Sequence, residues 1–97
     1  MVDATSSIYQ NIYMNNDKFR IKLGETIIAL RESKNMTQEE LFFKSTISRS
    51  HIGMIERGKR DVTLSTLFKI SRGLGVPLNE LLSFDSLEEY PFKNPEF

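Results

Sequence analysis

The sequence predicts an all-α fold: a compact domain of five short-linked helices with a helix-turn-helix at its centre. Three observations carry that prediction. Apolar residues recur at spacings of three and four rather than two. Capping residues and glycines punctuate the chain at short intervals. The second and third helical segments are separated by only a few residues, as a tight helix-turn-helix requires.

Helix one is expected from Asp17 to Ser33, where Leu23, Ile27 and Leu30, with Phe19 and Ile28 beside them, form one broad apolar face, and Lys34-Asn35 ends it. Helix two opens with Thr37-Gln38-Glu39-Glu40. This is a capping box: the Thr37 hydroxyl accepts from the Glu40 amide while the Glu40 carboxylate accepts from the Thr37 amide. Ser45-Thr46-Ile47-Ser48 closes helix two, and Ser48 caps a third helix from Arg49 to about Arg57, with Gly58 as its left-handed stop. Thr63 caps helix four, in which Leu64, Leu67, Phe68 and Ile70 are expected to face inward before Gly73 and Gly75 end it. Pro77 precedes a fifth helix from about Leu78 to Ser83. Residues 1–16 then form an N-terminal extension, 17–84 the domain, and 85–97 an acidic tail.

Composition narrows the function. A chain of 97 residues with 39% apolar side chains suits one core. With no cysteine there are no disulfides and no thiolate zinc site, which fits a reducing cytoplasm. No stretch approaches the roughly 18 consecutive apolar residues of a membrane span, and the N-terminus lacks the basic start and apolar run of a signal. A single histidine, His51, cannot assemble a metal cluster, and no carboxylate pair, nucleophile–base pair or glycine-rich phosphate loop is evident. The sequence therefore points to a non-enzyme that takes no cofactor and no metal.

The net charge is zero, but the charges are segregated. From Lys44 to Arg60 the basic residues Lys44, Arg49, Arg57, Lys59 and Arg60 face one acid, Glu56; from Leu78 to Phe97 five acids face Lys93. A basic patch has to be local to meet phosphates, since salt screens charges beyond about 8–10 Å. A solvated basic face with no partner is the plainer alternative.

In a helix beginning at Arg49, Ile52 and Ile55 fall inward while Arg49, Ser50, Gly53, Met54 and Arg57 lie outward. The N-terminal end of such a helix is where a major-groove reader touches base edges, and an arginine there matches guanine O6 and N7 in a bidentate contact. Arg49 is the first candidate for base reading; a solvated surface arginine is the alternative. Gln38, Arg57, Lys59 and Arg60 are candidates for phosphate contacts, which fix register more than sequence. Gly53 costs a helix interior about 1 kcal/mol relative to alanine, for which close approach by DNA or a neighbouring helix is one reason and drift at a tolerant, serine-like position the other.

From Leu23 to Leu82 the motifs TQEEL, SRSHI, IERGKR and VTLSTL, closing on LGV, resemble the Cro and phage-repressor helix-turn-helix family, and most of all the controller proteins of bacterial restriction-modification systems. The resemblance implies a lambda-repressor-like fold. It also implies groove-facing positions at Ser48, Ser50 and Met54, and an internal salt bridge between Arg31 and Glu56. Controller proteins often carry an aromatic residue near the DNA backbone at the position of His51; approach to a phosphate and a surface histidine without a role both stay open. Three departures stand out: Thr46 replaces a frequent glycine, Phe42 a frequent alanine, and Asp61 a frequent amide.

The leading function is a homodimeric, sequence-specific transcription regulator on an inverted-repeat operator, because one short helix reads too few base pairs for useful specificity. Leu78, Leu81, Leu82 and Phe84 are candidates for the dimer interface, with simple core packing as the alternative for each. Partners are then double-stranded DNA, a second copy of the chain and, at promoters, RNA polymerase. The alternative function is a protein-interaction module on the same fold, such as an antitoxin or accessory subunit that reads no operator.

Overall fold

The computed structural model describes the backbone of residues 4–83 and the side chains from Lys18 to Ser83. Within them the chain forms five helices: α1 (Ala4–Ser33), α2 (Gln38–Ser45), α3 (Arg49–Glu56), α4 (Leu64–Leu74) and α5 (Leu78–Leu81). Phe84 and the acidic tail lie outside the described residues.

The caps follow from local chemistry. Thr37 and Glu40 exchange the reciprocal capping-box bonds, the Glu40 amide donating to Thr37 Oγ1 at 3.0 Å and the Thr37 amide to Glu40 Oε1 at 2.8 Å. Ser48 Oγ accepts from the His51 amide at 3.2 Å, and Thr63 Oγ1 from the Thr66 amide at 3.1 Å. Each bond satisfies one of the four amides a helix start leaves without a partner. α1 begins at Ala4, well before the expected Asp17. Its upstream half contains neither Gly nor Pro to interrupt it, whereas the expectation rested on apolar periodicity, which marks where the helix packs and not where it starts.

α1 packs on α3 and α2 on α4, while α5 closes against α4 and α1. Ile27, Leu41, Ile52, Ile55, Ile70, Leu74 and Leu81 are essentially fully buried where these helices meet. Each such side chain contributes about 1.5–3 kcal/mol relative to exposure. Two expectations are corrected here. α4 buries Leu67, Ile70, Ser71 and Leu74, leaving Leu64 at 70% and Phe68 at 52% exposure. Phe68 sits about 100° around the helix from Leu67 and so points away from the stripe that meets α2. Leu81 is 0% exposed, so it belongs to the core and presents nothing to a partner.

The turn between α2 and α3 is built on Thr46, which takes the left-handed conformation, φ 64°, normally left to glycine or asparagine. Beside it, fully buried Ser45 accepts the Ile47 amide at 3.1 Å on its hydroxyl, so the turn carries no orphaned donor there. Phe42 lies partly buried against the core, where the larger ring fills space beside α2, and Phe43 stays outside at 70% exposure.

Candidate nucleic-acid interface

The posture of α3 is set from behind. α1 crosses so close to its C-terminal end that a Cβ on Gly24 would collide with the Glu56 carbonyl oxygen and lie 2.7 Å from that of Ile55. Only glycine lets the helices touch there. The Arg31 guanidinium grips the Glu56 carboxylate with two bonds, Nε to Oε2 at 2.8 Å and Nη2 to Oε1 at 3.1 Å, and its Nη1 donates to the Met36 carbonyl at 2.8 Å. Gln38 Nε2 adds a third bond to Glu56, 2.7 Å to Oε1. The network ties α1, the start of α2 and the end of α3 into one unit. Beyond it, the Gly58 amide donates to the Ile55 carbonyl at 3.0 Å and the Lys59 amide to Met54 at 2.9 Å, the paired bonds of a Schellman stop, with Gly58 at φ 70°.

With its back fixed, α3 turns outward a face made of Ser48, Arg49 and Ser50, all exposed, with His51 and Met54 half-exposed beside them and Arg57 exposed at the end. The Ser48 hydroxyl oxygen is occupied as the helix cap and lies 3.5 Å from Ser50 Oγ. Arg49, its side chain 63% exposed, donates from Nη1 to Glu39 Oε1 at 3.0 Å across the mouth of the turn. Gly53 departs from the expected outward position: it is buried, because the Arg57 guanidinium lies over it, 3.2 Å from where a Cβ would stand. Its close neighbours are therefore Arg57 and, at 4.0 Å, Gln38 Nε2. The Gln38 amide nitrogen itself points inward to Glu56.

The loop after α3 carries Lys59 and Arg60, both exposed. Arg60 Nη1 approaches the Met54 sulfur at 3.9 Å, so the loop folds back toward the outward face of α3. Glu56, the one acid of the basic segment, is 6% exposed and paired with Arg31, which removes it from the surface. The next acid, Asp61, is held by Arg20 of α1, Nε to Oδ1 at 2.7 Å and Nη2 to Oδ2 at 3.1 Å, and this pairing keeps its carboxyl below the usual carboxylate range. Outside lie the exposed cations Arg49, Arg57, Lys59 and Arg60, with Glu39 set against Arg49 and the exposed Asp61 held by Arg20.

Residues 27–81 match the helix-turn-helix family. The chain belongs to that family. It is 40% identical over 72 residues to control protein C.BamHI of Bacillus amyloliquefaciens, covering 73% of this chain and 89% of that one. It is also 40% identical over 65 residues to control protein C.MunI of a Mycoplasma species, covering 66% and 88%. Among solved structures, the restriction-modification controller protein C.AhdI of Aeromonas hydrophila superposes with a TM-score of 0.63 at 37% identity, over 64% of this chain and 94% of that one.

Within this helix-turn-helix unit the candidate base readers share the outward face of α3, while Arg57, Lys59 and Arg60 gather at its C-terminal end. The interface candidates do not stay together: Leu81 is core, Leu78 is partly buried against it, and Leu82 is 39% exposed. Sequence reasoning missed Glu39, Arg20 and Gly24. No spacing in the chain marks Glu39 or Arg20, whose partners are 10 and 41 residues away.

Proposed function

We propose that this protein is a homodimeric, sequence-specific DNA-binding transcription regulator that places α3 in the major groove of an inverted-repeat operator, in the manner of a restriction-modification controller protein. The observation that carries the reading is Arg49: an exposed guanidinium in the first turn of α3, continued by the cations of the following loop, on a helix braced from behind by a buried ion pair. Arg49 reads a guanine, with Ser48, Ser50 and Met54 contributing to the same base edges, and Met54 suits a thymine methyl. Arg57, Lys59 and Arg60 meet phosphates, with the half-exposed His51 as a further candidate and Gln38 reaching one only beside its bond to Glu56.

Dimerisation pairs two such helices about one DNA turn apart. The side chains Leu64 and Phe68 of α4, the latter with the Arg72 guanidinium 5.8 Å from its ring centre, and Leu82 after α5 are exposed apolar candidates for it. Phe68→Glu together with Leu82→Glu converts a dimer to a folded monomer in light scattering if this face is the interface. The protein works in the cytoplasm, and a promoter-bound dimer would stand beside RNA polymerase; no described helix is long and apolar enough to cross a membrane.

The test is selection of duplexes by the purified protein followed by sequencing and a salt titration. The reading requires an enriched inverted repeat and affinity that falls steeply as salt rises. Absence of saturable binding to any duplex favours the protein-interaction module instead.

A further inference from the structure

Two acids, Glu56 and Asp61, interrupt the cations between Lys44 and Val62, and α1 sends an arginine to each. The Arg31–Glu56 pair braces α3. The Arg20–Asp61 pair has no such place in the core: the Asp61 side chain is 81% exposed and follows Arg60 directly. Left alone, this carboxylate would be the nearest counter-charge for Arg60 and Lys59. Neither cation has an ion-pair partner among the described residues. The loop also sits directly on α1, where a Cβ at Gly58 would lie 2.9 Å from the Ile21 side chain, and Arg60 shares a small cleft with Phe19, Val62 and Leu67.

We propose that Arg20 is a positioning residue for DNA binding, which holds the Asp61 carboxylate in a two-point fork and so keeps it off Lys59 and Arg60, leaving both cations for phosphate. Arg20 itself touches no DNA. The inference rests on the reading of this protein as a DNA binder and assigns a residue of α1 to that site. A guanidinium suits the task because its planar fork matches both carboxylate oxygens at once and fixes the direction of the acid as well as neutralising it. Loss of the fork frees an exposed carboxylate to fold onto its neighbours, so one substitution on α1 silences two cations on the loop.

The test is a double-mutant cycle on the full chain with Arg20→Gln, Asp61→Asn and the pair, reading affinity for a short duplex of random sequence across a salt series, with thermal melts to establish that each variant is folded. Arg20→Gln is expected to weaken binding about 5- to 20-fold at low salt and to flatten the salt slope by about one to two, the amount two phosphate contacts supply. Asp61→Asn alone changes affinity less than about threefold, but added to Arg20→Gln it returns both affinity and slope to near wild type, because the intruding acid is gone. If Asp61→Asn shifts affinity by the same factor in both backgrounds, Arg20 acts as an independent cation and the proposal fails; it fails equally if Arg20→Gln changes nothing. A wild-type protein without saturable, salt-dependent binding would instead overturn the DNA-binding reading, and the role of Arg20 with it.

Discussion

Arg31–Glu56 and Arg20–Asp61 are built with the same fork, Nε and Nη2 each donating to its own carboxylate oxygen at 2.7–3.1 Å. Their surroundings are opposite. The first pair is sealed, with side chains 12% and 3% exposed, and its remaining capacity is met by Gln38 and the Met36 carbonyl. The second is open on the acid side. Geometry alone therefore says little about what an ion pair contributes. In the interior, removing one partner leaves an uncompensated charge in a low dielectric; at the surface, water replaces the partner at almost no cost. The sealed pair joins α1 to the end of α3, and the open pair joins α1 to the loop that follows it.

The largest expected effect breaks the sealed pair. Glu56→Ala should cost about 3–5 kcal/mol in denaturant unfolding, because Arg31 keeps its charge without its partner. Replacing both residues together, as Arg31→Met with Glu56→Leu, should cost less than Glu56→Ala alone, and a larger loss would show that the charges themselves stabilise the fold. A smaller step sharpens the same point. Gln38→Ala removes one hydrogen bond to a charged group and should cost about 1–2 kcal/mol, reduced from the buried range by the partial exposure of Gln38.

The open pair should behave differently. Asp61→Asn is expected to change stability by no more than about 1 kcal/mol in the same unfolding measurement, and a loss comparable to that of Glu56→Ala would erase the distinction. Its pH dependence has a definite sign. The Arg20 fork lowers the folded-state pKa of Asp61 below its unfolded value of about 4. The stabilisation is thus present above that unfolded value and is lost as pH falls through the lower folded one. The small difference between wild type and Asp61→Asn should accordingly be constant near neutral pH and vanish in acid.

What the sequence reveals divides along the same line between local and distant chemistry. The caps at Thr37, Ser48 and Thr63 were legible because in each an amide donates to the side-chain oxygen three residues before it. The outward placement of Arg49, Ser50 and Met54 was legible because α3 keeps its phase between two fixed ends. The phase of α4 was misjudged at Leu64 and Phe68, since hydrophobicity marks what would gain from burial but not which neighbour is there to provide it. Gly53 was placed outward for a related reason: the helical phase is right, but a side chain from the next turn folds back over it. The fork at Asp61, the approach at Gly24 and the burial of Leu81 depend on how α1 and α5 cross the rest of the fold, and no spacing in the chain encodes a crossing.

Entry of α3 into the major groove, with Arg49 reading a base, is the proposed centre of the protein's function. The most direct measurement compares wild type and Arg49→Ala on the selected operator and on a scrambled duplex at one salt concentration. Loss of about 1–3 kcal/mol per half-site on the operator is expected, with relaxed preference at one base pair in each half-site and little change on the scrambled duplex. Folding stability should shift by no more than about 0.5 kcal/mol, since the Arg49–Glu39 pair is exposed on both sides. Equal losses on the two duplexes would make Arg49 a phosphate contact, and no loss on either would mean that this helix does not enter the groove.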